Sequence, residues 1–166
     1  CCTAYVELVK RHVPEFLDKV STTPSPMKFA ARIVREQNPN ALTVFIGPCI
    51  AKRWEAENAP EVDYVMTFEE LGALLAGLGI DIMKQEPWVL DHPAAPTARN
   101  YAKSCGVTDA VLTEMSEKNP EFGKIGFKLD TKFINGIDKK TAKLLKLYAM
   151  GKMPGNFLEV MSCGGG

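Results

Sequence analysis

Short apolar runs rich in β-branched residues alternate along this chain with helix-patterned stretches, and that alternation restricts the fold more than any other feature. Ala41-Leu42-Thr43-Val44-Phe45-Ile46, Asp63-Tyr64-Val65-Met66, Gly123 to Phe133 and Phe157-Leu158-Glu159-Val160-Met161 have the length and composition of strands. The first helix is predicted from Thr3 to about Lys19. Tyr5, Val6, Leu8, Val9, Val13, Phe16 and Leu17 supply its apolar face, Thr3 its N-cap, and Pro14 a break. A second helix follows the loop Ser21–Pro26, running from Met27 to Gln37 and stopped by Asn38-Pro39-Asn40. Another begins near Ala51, and one from Thr67 to about Leu78 opens on a capping box between Thr67 and Glu70. Residues 84–97, with Pro87, Pro93 and Pro96, read as irregular. The last two helices span Thr97 to Met115, interrupted at Gly106, and Asp138 to Met150 with Asp138 as cap. Strands interleaved with helices predict an α/β fold with a mainly parallel sheet flanked by helices, as one domain over residues 1–166.

Charge and cysteine usage narrow the function. Twenty basic residues balance twenty acidic ones, so no polyanion-binding surface is expected; Lys10, Arg11, Lys139 and Lys140 read as solvated helix faces. Nucleic acid is therefore not an expected partner. No apolar run approaches the roughly 20 residues of a membrane span, and Cys1-Cys2-Thr3-Ala4-Tyr5 is no signal peptide. Five cysteines without a secretion signal point to a reducing compartment, the cytoplasm, where cysteines pack, bind metal or act as nucleophiles. A chain that begins on Cys1-Cys2 and ends on Gly164-Gly165-Gly166 reads as a segment cut at both ends from a longer polypeptide.

Three cysteine sites share a kind of location. Cys49 lies just past a predicted strand, Cys163 just past the last one, and Cys1 and Cys2 at the start of the first helix. Ligands of open α/β sheets gather beyond the carboxyl ends of strands, and helix N-termini favour thiolate, the metal-binding form. On spacing alone this signal is weak, because the compact ferredoxin run of cysteines is absent. For each cysteine taken singly, packing remains the commoner role. Cys105, inside a helical stretch, is expected to pack; His12 and His92 read as surface or loop residues, and Trp54 and Trp88 as core or interface.

The words around the cysteines say more. Cys1-Cys2, then Pro48-Cys49-Ile50-Ala51-Lys52 with Glu55, then Glu159-Val160-Met161-Ser162-Cys163 occur in that order. With them the chain resembles the iron-only (FeFe) hydrogenases, whose signatures are T-S-C-C-P, M-P-C-x-x-K-x-x-E and E-x-M-x-C-x-x-G-C. Val20-Ser21 and Ser25-Pro26 echo a link between the first two. The resemblance spans the whole chain and implies the C-terminal part of the catalytic H-cluster domain, one lobe of the large-subunit fold.

It also implies roles. Cys2, Cys49 and Cys163 match three of the four thiolates of a 4Fe–4S cluster, meeting around one pocket. The fourth, which bridges to the two-iron subcluster, would directly follow Gly166. Cys1 matches the proton-relay thiol, Ser21 a hydroxyl further along that path, Lys52 the lysine that donates to a cyanide ligand, and Met161 a methionine packed on the two-iron site. The residue types suit this chemistry, with soft thiolates for low-valent iron, a thiol to accept a proton and a cation for a buried anion.

The implied parent is an oxidoreductase of anaerobic metabolism that interconverts hydrogen with protons and electrons. Its partners would be hydrogen, protons, ferredoxin or another electron carrier, and the remaining portion of the same domain. Without that portion and the fourth ligand, the segment alone is expected to be inactive and to lack the complete H-cluster. Some positions depart from the family pattern. Gly47 stands for Met, which predicts open space there; Thr3 stands for Pro and Met27 for Gln; Tyr101-Ala102-Lys103-Ser104-Cys105-Gly106-Val107 replaces a G-A-T-G-G-V stretch. These lean toward a divergent or hydrogen-sensing branch; a non-catalytic iron–sulfur protein of the superfamily is the further alternative.

Overall fold

The computed structural model describes residues 2–89, 93–118, 121 and 128–166. Its contacts divide the chain into two compact units, Cys1–Ser21 with His92–Gly166, and Thr22–Asp91. The fold is α/β: instead of one sheet, the described strands form two parallel pairs, one in each unit.

In the first unit, helix α1 spans Thr3–His12 and a 3-10 helix spans Pro14–Lys19. The predicted single helix breaks at Pro14, which has no N–H to continue the ladder. Val13 N–H still bonds Val9 O at 2.9 Å, and Phe16 N–H then restarts on Val13 O at 2.9 Å. The N-cap is Cys2, not Thr3, which is the first helical residue and buried. A threonine cap needs extended backbone at its own position.

Strands β3 (Thr131–Asn135) and β4 (Phe157–Met161) pair in parallel across a crossover that contains the helix Lys139–Ala149, here α7. Asp138 caps α7 as predicted: its carboxylate accepts from Lys140 N–H at 2.8 Å and Thr141 N–H at 2.9 Å. Val9, Val13, Phe16, Ile134, Leu145 and Val160 form the core beneath. Leu145, Val9 and Val13 are wholly buried, each contributing about 1.5–3 kcal/mol over an exposed position. The predicted strand Gly123–Phe133 is displaced: 122–127 lie outside the described residues, 128–130 are not strand, and pairing with β4 carries β3 on to Asn135.

The expected helix Thr97–Met115 is two, α5 (Pro96–Arg99) and α6 (Gly106–Lys118). The turns between them close so tightly that a Cβ on Gly106 would lie 2.0 Å from the Asn100 carbonyl oxygen. Cys105 sits at that corner with φ +70°, not inside a helix.

In the second unit, α2 (Pro26–Gln37) starts with proline at its first position, and β1 (Val44–Gly47) and β2 (Tyr64–Thr67) pair in parallel around the short α3 (Lys52–Ala56). Met27 and Ala31 of α2 pack on Ala59, Val62 and Phe45. Arg32–Glu61 and Arg35–Asp63 ion pairs fasten the outer side of α2. Asp63 also accepts from Thr43 N–H at 2.7 Å and Thr43 O–H at 2.9 Å, which aligns the starts of β1 and β2. Helix α4 (Phe68–Gly77) opens on the predicted Thr67–Glu70 capping box and, though largely apolar, buries none of its residues. Trp54 and Trp88 are exposed at 45% and 85%, so neither is core within these residues.

Candidate functional site

The first unit brings two of the matched cysteines to chemically distinctive places. Cys2 caps α1 with extended backbone, and its thiol makes no capping bond. A sulfur there stands at the N-terminal end of the helix dipole, where negative charge is favoured. Tyr5, one turn on, has its phenol pushed up to about 12, first by burial and then by Cys2.

Cys163 follows β4 by two residues and is exposed. Beyond the strand ends, the ladder is prolonged by Gly136 N–H to Met161 O at 2.9 Å and Ile137 N–H to Ser162 O at 3.0 Å. Met161 is buried. Side chains alternate along β4, so Glu159 and Met161 share one face while Leu158 and Val160 serve the core on the other.

Glu159 is a charged residue in an otherwise apolar strand, and it is 6% exposed. One carboxylate oxygen accepts from Thr108 N–H at 2.8 Å and Thr108 O–H at 2.6 Å, near the start of α6. The other, Oε1, is buried with no hydrogen-bond partner among the described residues. Burial first and Glu159 second raise the pKa of the Tyr101 phenol and of the Cys105 thiol, with Asp109 adding to the latter. Asn135, at the end of β3, holds the backbone after Cys163 through Gly165 N–H at 2.8 Å.

In the second unit, Cys49 follows β1 by two residues. Its carbonyl accepts Lys52 N–H at 3.1 Å, which turns the chain into α3. Lys52 then meets Glu55 one helical turn on, Nζ to Oε2 at 2.6 Å, with side chains only 13% and 16% exposed. The other Glu55 oxygen accepts from the Ser25 hydroxyl at the head of α2. The spacing C-x-x-K-x-x-E is thus one turn followed by one helical i,i+3 pair. The space predicted beside Gly47 is filled: a Cβ there would lie 2.8 Å from the Phe45 ring.

Of the predicted residues, Cys2, Met161 and Cys163 belong to the first unit, Cys49 and Lys52 to the second, and Ser21, exposed, ends the N-terminal segment of the first. Cys1 and His92 lie outside the described residues; His12 is exposed. Among the described residues no group of three or more His, Cys, Asp and Glu side chains stands close enough to hold a metal ion. The donor chemistry nonetheless fits an iron–sulfur cluster. Cys2, Cys49 and Cys163 are free of disulfides, one caps a helix, and two follow parallel strands. Sequence reasoning passed over Asn135, Ser104 and Thr108; only the lone acid in an apolar strand, Glu159, signalled that face.

No helix among the described residues is long and apolar enough to cross a membrane. The chain is 24% identical over 209 residues to iron hydrogenase 1 of Clostridium pasteurianum, covering 100% of itself and 36% of that protein. It is 27% identical over 204 residues to the periplasmic [Fe] hydrogenase large subunit of Nitratidesulfovibrio vulgaris, covering 100% of itself and 48% of the relative. The chain thus spans less than half the length of either relative. A variant of [FeFe]-hydrogenase HydA1 from Chlamydomonas reinhardtii superposes with TM-score 0.72 at 20% identity, over 98% of this chain and 58% of that one, which shows a shared fold. The model of the iron only hydrogenase large subunit, C-terminal domain, matches residues 1–166 throughout, and the chain belongs to that family.

Proposed function

We propose that the parent protein is an iron-only hydrogenase that interconverts hydrogen with protons and electrons, and that these 166 residues supply one part of its H-cluster domain. The observation that carries this reading is Lys52, held at 13% exposure by Glu55 within the turn that follows Cys49. A nearly buried ammonium beside a candidate iron ligand suits an anionic ligand on the metal better than it suits stability alone.

In this reading Cys2, Cys49 and Cys163 would hold three corners of the 4Fe–4S cluster. When bound, the complete H-cluster supplies the metal site where hydrogen is split and the path by which electrons leave. The chain's own residues do the rest. Cys1 accepts the proton, and Ser21 extends its route outward. Lys52 would donate a hydrogen bond to a cyanide, its ammonium oriented by Glu55, whose other oxygen accepts from Ser25. Met161 covers the two-iron site.

Ferredoxin or a similar carrier takes the electrons, the remaining portion of the domain completes the pocket, and the cytoplasm of an anaerobic cell is the compartment that suits free thiols.

A direct test is to express the full parent chain, reconstitute it with iron, sulfide and a synthetic two-iron precursor, and measure hydrogen evolution. Evolution that vanishes in Cys1→Ala and Lys52→Met supports the enzyme. A parent with a complete cubane and two-iron site but no turnover overturns it.

A further inference from the structure

The turn that carries Cys163 has no helix or strand of its own to fix it, and what fixes it is specific. Gly166 N–H closes the turn onto Cys163 O at 3.2 Å. Ser104 N–H binds Gly165 O at 3.1 Å from one side. On the other side, the Asn135 side-chain oxygen accepts Gly165 N–H at 2.8 Å and the Ser104 hydroxyl at 2.7 Å. Both Gly165, at φ +91°, and Gly166, at φ +106°, take backbone conformations that only glycine adopts readily. Gly166 lies so near the neighbouring loop that a Cβ would be 2.2 Å from Ala102 O.

Glycine supplies the permission for this shape but not the preference, because the same residues are equally free to take other shapes. The preference must come from the bonds. Two of them meet on one atom of Asn135, the last residue of β3 and the register partner of Met161. A rigid strand end therefore dictates the conformation of the turn.

We propose that Asn135 is a positioning residue for the Cys163 ligand, its carboxamide oxygen fixing the turn through Gly165 and Ser104. The inference rests on the reading of Cys163 as a cluster thiolate. Asn135 acts through the backbone and touches no iron ligand atom. Groups that orient ligands from behind matter at metal sites because an unheld ligand must be ordered on binding.

The test uses the full chain, reconstituted anaerobically with iron and sulfide, in Asn135→Leu, Asn135→Asp and Cys163→Ser forms. Asn135→Leu removes the acceptor at similar volume; Asn135→Asp keeps an oxygen for both donors. The expected result is an iron affinity lowered about 10- to 100-fold in Asn135→Leu and restored to within about threefold in Asn135→Asp. The paramagnetic resonance spectrum of the reduced cluster should shift in the first and not in the second. Hydrogen exchange at Gly165 N–H in the iron-free protein should quicken in Asn135→Leu alone.

If Cys163→Ser binds iron like the wild type, the ligand reading fails. If Cys163→Ser loses the cluster while Asn135→Leu keeps wild-type affinity, spectrum and exchange, the positioning role is overturned and the ligand reading stands. Should Asn135→Leu not fold, by circular dichroism, Asn135→Ala removes the acceptor without added bulk and is held to the same outcomes.

Discussion

The Glu159 carboxylate and the Thr108 hydroxyl meet at 2.6 Å, 51 residues apart in sequence, and the same oxygen takes the Thr108 amide at 2.8 Å. A strand residue thereby takes both donors of the third residue of α6. Both partners are buried, Thr108 at 2% exposure. Removing the hydroxyl leaves a buried charge with one donor fewer. Thr108→Val should lower stability by about 1.5–3 kcal/mol, the range for bonds to charged groups, while Thr108→Ser stays near the wild type. The denaturant midpoint measures both, and equal midpoints would show that the bond carries no net weight.

Gly47 and Phe45 lie on one face of β1, with the ring where a side chain at 47 would go. Gly47→Met should therefore overpack this site and cost about 1–3 kcal/mol. Adding Phe45→Ala should recover part of that loss. A thermal-unfolding double-mutant cycle checks it, and strict additivity would mean that the ring swings aside freely.

The Lys52–Glu55 and Arg53–Glu70 pairs provide an internal comparison, because the first is 13% and 16% exposed and the second 43% and 48%. Water and salt screen the outer pair, so Arg53→Ala should cost no more than about 1 kcal/mol. Glu55→Ala takes one oxygen acceptor from Lys52 and one from Ser25 and should cost clearly more, about 3 kcal/mol, the lower end of the range for shielded pairs. Raising salt to about 1 M should erase the first effect and spare the second. Equal costs from urea titration would contradict the burial argument.

Asp63 supplies a pH test. Thr43 N–H and O–H, and then Arg35, hold its carboxyl below the ordinary 3.8. A folded value under the unfolded one stabilises above the unfolded value and is lost as pH falls through the folded one. The stability gap between wild type and Asp63→Asn should be full above about pH 5 and shrink as pH drops past 3.8. Glu7, Glu61 and Glu70, also lowered, are common to both proteins and cancel in the difference. A gap that widens in acid, by urea midpoints across pH, would reverse the sign and refute it.

What could be foreseen from the residues was local chemistry. Pro14 broke a helix, Thr67 with Glu70 and Asp138 formed caps, and β4 occupied the five residues expected of it, because each depends only on near neighbours. What was misjudged depended on how the folded backbone brings groups together, near or far along the chain. The end of β3 was set by its register with β4, so strand character ran on to Asn135. The space at Gly47 was taken by a ring two residues back, which no property of glycine reveals. Cys105 was pulled from a helix by the Asn100–Gly106 approach, and of the core or interface expected for Trp54 and Trp88, their exposure excludes the core among the described residues. At the site, the thiols and Lys52 were recognisable from their words. Asn135 was not, because an asparagine closing a strand looks like any turn residue until its acceptor is seen to serve two donors.

Gly106 has a consequence for how this sequence can change. Its hydrogen, where any other residue has a carbon, lets the Asn100 carbonyl come to a separation no methyl group survives. A saturation library at this codon should therefore return glycine alone among well-expressed clones, alanine included among the losses. Evolution is free to redraw the loop leading up to that corner, but not to change the residue at the corner.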